Sequence, residues 1–95
     1  IQPQNTLSVK HRDRLDIIAD ILQAANGKAV RKTYLMYKCN LSFKQLKCYL
    51  TFMLKQELLQ EIVAHKSRGT TFFQITPKGQ IFLKTYRNLQ SFLRS

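Results

Sequence analysis

The chain has 95 residues and a mass of 11.2 kDa, enough for one domain. Its 16 Lys and Arg outnumber 5 Asp and Glu, and the net charge of +11 points to a polyanionic partner, nucleic acid before an anionic membrane surface. No apolar run approaches the roughly 20 residues of a membrane span, and two cysteines do not make a disulfide scaffold.

Catalytic and metal chemistry lack their usual residues. Cys39 and Cys48 form no CxxC pair, and His11 and His65 lie far from both. A tetrahedral zinc site needs four ligands in paired spacings, so no metal or other cofactor is expected. The cysteines read as reduced residues filling small gaps. GxGxxG, P-loop and GxSxG motifs are missing, and no nucleophile stands with a base. An enzyme is not expected, and no small-molecule ligand is evident. The chain opens on Ile1 with no charged leader before an apolar core, and it is compatible with a segment removed upstream.

Residues 1–9, with Pro3 among mixed polar residues, read as an N-terminal arm. A first helix is expected over residues 10–26. Leu15, Ile18, Ile21, Leu22 and Ala25 form its inward stripe, and Asp13, Asp16, Asp20 and Gln23 face out. Asn26 and Gly27 stop it, since Gly tolerates the left-handed conformation that closes a helix. Residues 28–30 then form a short extended link.

A two-turn helix follows over 31–39, with Leu35 inward, and Asn40-Leu41 makes a tight turn. Ser42 opens the third helix. Its hydroxyl can accept from a free backbone N–H while Gln45 bonds back. That helix is expected over 43–56, with Phe43, Leu46, Leu50, Met53 and Leu54 inward. Lys44, Gln45, Lys47, Cys48, Thr51, Phe52 and Lys55 point outward. Two β-rich runs, 58–65 and 70–75, flank the basic turn Lys66-Ser67-Arg68-Gly69, in which Gly69 can take a positive φ. Phe73 and Ile75 should face the core. Thr76 and Pro77 open a last helix over 77–94, as N-cap and first helical residue. Gly79 in its first turn permits close packing.

Three helices, a hairpin and a closing helix make an α+β winged helix-turn-helix. Residues 10–76 form the winged-helix domain. Residues 77–95 form a C-terminal helix that packs on it and joins two copies. The charges fit a DNA-binding surface: between Ile21 and Gln56 there is no acid, but there are Lys28, Arg31, Lys32, Lys38, Lys44, Lys47 and Lys55. The third helix would enter the major groove and the basic hairpin would touch flanking backbone. Gln45 could pair with adenine and Lys44 or Lys47 with guanine. No Arg or Asn stands on the outward face, which leans towards weakly selective, phosphate-dominated binding. Competing readings are a protein-interaction module, kept open by Tyr49 and Phe52, and a membrane-surface or RNA binder.

The run KTYLMYKCNLSFKQLKCYLTFML from Lys32 to Leu54, closed by FQITPKGQIFL from Phe73 to Leu83, resembles a known family. It is similar to the small archaeal winged-helix proteins of the roughly ten-kilodalton, chromatin-associated type and to related archaeal regulators. The marks are Met36-Tyr37-Lys38, Asn40-Leu41-Ser42, Gln45-Leu46, Tyr49-Leu50 and Thr76-Pro77-Lys78-Gly79. The resemblance implies a homodimer on double-stranded DNA, in the cytoplasm on the nucleoid. Its final helices would pair as an antiparallel coiled coil. Carried onto this chain, the DNA contacts fall on Ser42, Lys44, Gln45, Lys47, Cys48 and Thr51, with Lys66 and Arg68 in the wing. Arg31 and Lys32 join them by charge. The seam falls on Ile81, Phe82, Tyr86, Leu89, Phe92 and Leu93. Relatives commonly carry Gly just after the third helix, where this chain has Gln56-Glu57-Leu58.

Overall fold

A computed structural model describes residues 12–64 and 68–94 of the chain. The expected arm over 1–9, the start of the first expected helix, and His65, Lys66 and Ser67 lie outside the described residues. In chain order the elements are α1 (Arg14–Ala24), β1 (Val30–Arg31), α2 (Lys32–Cys39), α3 (Phe43–Lys55), β2 (Leu59–Ala64), β3 (Thr70–Ile75) and α4 (Pro77–Arg94).

Helix α1 begins later than expected because Asp13 caps it. The Asp13 carboxylate accepts from Asp16 N, and the Asp16 carboxylate accepts from Asp13 N. Such a reciprocal box fixes a helix start and stabilises it by about 1 kcal/mol. The buried set of α1 is Ile17, Ile18, Ala19, Ile21 and Leu22. Leu15, expected inward, is 49% exposed. The helix packs against both α2 and α4, so its buried arc is wider than one stripe. Ile18, Leu22 and Ala25 of the same stripe are buried, and Leu15, in the first turn, lies beyond the end of the core.

Residues 28–30 do more than link. Val30 and Arg31 pair antiparallel with Phe73 and Phe72. This makes a three-stranded sheet in the order β1-β3-β2. Two residues carry too little periodicity to be read as a strand from sequence. The hairpin pairs Leu59 with Ile75 and Ala64 with Thr70. Phe73 and Ile75 are buried, as their alternation predicts.

Helices α2 and α3 end alike. Leu41 N bonds to Met36 O and Asn40 N to Tyr37 O; Leu58 N bonds to Met53 O and Glu57 N to Leu54 O. These are paired closing bonds around one left-handed residue. That residue is Asn40 (φ 55°) after α2 and Glu57 (φ 61°) after α3. Asn tolerates the conformation well. Glu57, at the position where Gly is commonly found, holds it at a cost of about 1 kcal/mol. Buried Leu58 and Met53 on either side of that turn offset the cost.

Ile21, Leu22, Leu35, Leu46 and Met53 are the fully buried centre. Each contributes about 1.5–3 kcal/mol relative to exposure. Phe43, expected in this core, is 53% exposed. It is the first residue of α3, beyond the edge of the core, and its ring lies under the Lys32 ammonium, 5.2 Å from the centroid.

Candidate nucleic-acid interface

Helix α3 carries the outward set that its periodicity predicts. Lys44, Lys47, Cys48 and Thr51 are exposed and recur at spacings of three and four, so they share one face. The helix start is built by Ser42 and Gln45. Ser42 Oγ accepts from Gln45 N at 3.1 Å, and Gln45 Oε1 accepts from Ser42 N at 2.9 Å. This confirms the expected cap and engages the amide oxygen that Gln45 would present to a base. Bidentate pairing with adenine needs its amide oxygen and nitrogen together, and the oxygen is committed to the helix cap. Thr51 is also engaged, its hydroxyl donating to Lys47 O at 2.9 Å.

The flanking cations have defined supports. The Arg31 guanidinium lies over the Phe72 ring at 5.6 Å, tying the start of α2 to β3. Lys32 is half-buried against Phe43. At the hairpin tip Gly69 (φ 76°) and Arg68 (φ 57°) both turn left-handed, and Gly69 N bonds back to Ala64 O at 3.2 Å. Arg68 is exposed there; Lys66, the other expected wing residue, lies outside the described residues.

The acids of α1 are taken up locally. Asp13 and Asp16 cap the helix, and Asp20 pairs with Arg12 at 2.8 Å. That ion pair, with Arg12 also reaching Asn40 O at 3.5 Å, was not foreseen from sequence. Among the described residues it is the one ion pair, so the lysines of α2 and α3 are not neutralised by carboxylates.

This set of elements decides the family. The chain belongs to the winged helix-turn-helix family. Residues 11–94 match it, covering every described element. The chain is also 33% identical over 81 residues to an uncharacterized protein of Methanocaldococcus jannaschii, which covers 85% of this chain and 35% of that protein. It therefore spans about a third of the length of the curated relative it matches. Among solved structures it is similar to Sso10a-2, described as a DNA-binding protein from Sulfolobus solfataricus. The TM-score is 0.76 at 18% identity, over 87% of this chain and 83% of that one. At that identity the likeness is one of fold. Both relatives are archaeal, in keeping with the resemblance read from the α2–α3 run.

Within this winged helix, α4 has two kinds of surface. Gly79 and Leu83 are buried, and Phe82 and Tyr86 pack half-buried against the core. Ile81, Leu89, Phe92 and Leu93 are 68%, 52%, 75% and 72% exposed. The six residues expected at a dimer seam thus divide: two pack half-buried on their own domain, and four are mostly exposed, Ile81 and Leu89 among them lining a shallow apolar groove with Leu15 and Leu58. A separate apolar groove lies where α1 meets α3, lined by Arg14, Leu15, Ile18, Cys48, Tyr49 and Phe52. It was not legible in the sequence, because Leu15 was assigned to the core. Among the described residues, no helix is long and apolar enough to cross a membrane.

Proposed function

We propose that this chain binds double-stranded DNA as a homodimer, without catalysing a reaction. Helix α3 enters the major groove, the hairpin follows flanking backbone, and α4 pairs with its copy. The observation that carries this reading is the unneutralised cationic face. Lys44 and Lys47 on α3, Arg31 and Lys32 at the start of α2 and Arg68 at the wing tip have no carboxylate partner among the described residues. A helix-turn-helix offers such a face to phosphates on both sides of a groove. Ser42 keeps its hydroxyl hydrogen to donate, and the α3 dipole favours an anion there. Sso10a-2, similar in fold, is itself described as DNA-binding.

Base readout is weak in this reading. Gln45 and Thr51 are engaged within α3, and Lys is a flexible point charge. The binding is phosphate-dominated and suits a nucleoid-associated protein better than a selective regulator. An operator preference above about a thousandfold over random duplex would favour the regulator instead.

The test is fluorescence anisotropy of a labelled random-sequence duplex across a salt series. Expected are micromolar or tighter binding and a steep negative slope of log K against log salt. Lys44→Ala and Lys47→Ala should each flatten that slope by about one unit. No binding at low salt would reject the reading. It would favour a protein-interaction module using the Leu15–Phe52 groove, which predicts affinity nearly independent of salt.

A further inference from the structure

Phe43 is a large aromatic residue that the core does not bury. It stands at the first position of α3, more than half exposed, close to the exposed lysines Lys44 and Lys47. Lys47 lies one turn further along the same side, and Lys44 is its neighbour in sequence. The Lys32 ammonium lies over the ring, 5.2 Å from its centroid, a cation–π contact that favours a fixed ring position.

At this end of α3 the Ser42 and Gln45 oxygens accept within the helix cap. Beside the Ser42 hydroxyl hydrogen, the first turn therefore offers a base edge an exposed apolar ring between positive charges. In the major groove, the one apolar group on a base edge is the C5-methyl of thymine. The first residues of a recognition helix are those that reach base edges.

We propose that Phe43 is a specificity-determining residue that packs against thymine methyl groups, while Lys32 holds the ring and contacts an adjacent phosphate. This rests on the DNA-binding reading above and adds to it a preference set by methyl groups rather than by hydrogen bonds.

The experiment uses the 95-residue chain and two pairs of duplexes that differ only in C5-methyl groups. One pair is alternating A·T against alternating A·U. The other is alternating G·C with and without 5-methylcytosine. The methylated member of each pair should bind tighter, by about fourfold for each methyl buried. Phe43→Ala should erase the difference in both pairs and leave the salt slope nearly unchanged. Phe43→Leu should keep part of it. Equal affinities within both pairs, with a steep salt slope retained, would overturn the methyl reading and leave DNA binding standing. A methyl preference that survives in Phe43→Ala would overturn the role of Phe43. Absence of binding to all four duplexes would overturn this proposal and the DNA-binding reading together.

Discussion

The Tyr86 hydroxyl on α4 donates a hydrogen bond to the Asp16 carboxylate on α1, across 70 residues of sequence. The other oxygen of that carboxylate accepts from Asp13 N at 3.1 Å, closing the cap of α1. Gln90 Nε2 donates to the Tyr86 oxygen at 3.1 Å. A line of hydrogen bonds thus joins the start of α1 to the third and fourth turns of α4. It fixes the angle at which α4 leaves the domain, and with it the direction in which Leu89, Phe92 and Leu93 are presented. Burial, the bond to Asp16, and the nearby charges of Asp16, Asp13 and Asp20 raise the phenol pKa well above its usual value of 10.0. The group therefore stays a neutral donor.

Tyr86→Phe removes this donor and leaves the ring. A hydrogen bond to a charged acceptor contributes about 1.5–3 kcal/mol when well buried. This one is half-buried, so a loss of roughly 1 kcal/mol in urea denaturation is expected. DNA affinity should change little, because Tyr86 lies on the side of the domain that carries α1 and α4. A loss of affinity larger than the loss of stability would place α4 in the binding surface.

Gly79 sits where α4 crosses the rest of the domain. A Cβ built there would collide with the Leu58 carbonyl oxygen and stand 2.7 Å from Ile75 Cγ1 and 3.2 Å from Leu22 Cδ2. The helix can approach this closely because Thr76 anchors its start. The Thr76 hydroxyl accepts from Gly79 N at 3.0 Å and donates to Glu57 O at 2.5 Å. Ala at an ordinary helical Gly would stabilise by about 1 kcal/mol. Here overpacking against backbone should reverse the sign. Gly79→Ala should destabilise by about 2–3 kcal/mol, read as a lower melting temperature. An unchanged or raised melting temperature would contradict the close approach.

How much of this was legible depended on the range of the interaction. Ser42 with Gln45, Thr76 with Pro77, and the alternation of Phe73 with Ile75 are local patterns, and they gave the caps and the hairpin face. Leu15 and Phe43 were misassigned because a helical wheel shows direction but not where the core ends along the axis. Both lie in a first turn that projects past it. β1 escaped because two residues become a strand only through their partner, Phe72–Phe73. The side-chain type of Gln45 suggests a base-reading role, and the capping box that marks the helix start competes with that role for its amide oxygen. The Tyr86–Asp16 bond joins distant residues and left no local trace.

The two cysteines should behave differently. Cys39 is buried and Cys48 exposed. Burial first, then the charge of Asp20, push the Cys39 thiol up from 9.0 to about 11, against smaller opposing effects of Arg12 and Lys38. A thiol reagent at pH 8 should therefore label one cysteine per native chain. The stability effect has a definite sign. A raised folded-state value means that the neutral thiol is favoured in the fold. Its contribution is complete below the unfolded value of 9.0 and is lost as pH rises towards 11. The loss is on the order of 2 kcal/mol. Tyr86 adds a loss of the same sign above pH 10. Cys39→Ala should flatten the part of the decline that begins near pH 9; an identical profile would assign that decline to other groups.

Leu89→Glu tests the proposed pairing through α4. Ile81, Thr85, Leu89 and Phe92 follow one another at spacings of four, four and three, the pattern of a helix seam. Helix α4 is about 27 Å long at 1.5 Å per residue, and its last turns carry the most exposed apolar residues. Such residues are costly to leave in water, and pairing of two copies would bury them. Arg87 and Arg94 occupy the other side of the helix, Lys84 flanks the stripe, and Lys78 stands beside Ile81 and Leu89 at its start. A carboxylate at Leu89 would be carried into the seam by both protomers, at roughly 2 kcal/mol or more per copy. The variant should sediment as a folded monomer, and its DNA affinity should fall because two linked faces become two independent ones. Lys84→Glu changes the charge of the same helix more than Leu89→Glu does but leaves the stripe intact, so it should remain dimeric. If Leu89→Glu sediments as a dimer too, α4 is not the seam, and the Leu15–Phe52 groove becomes the next surface to mutate.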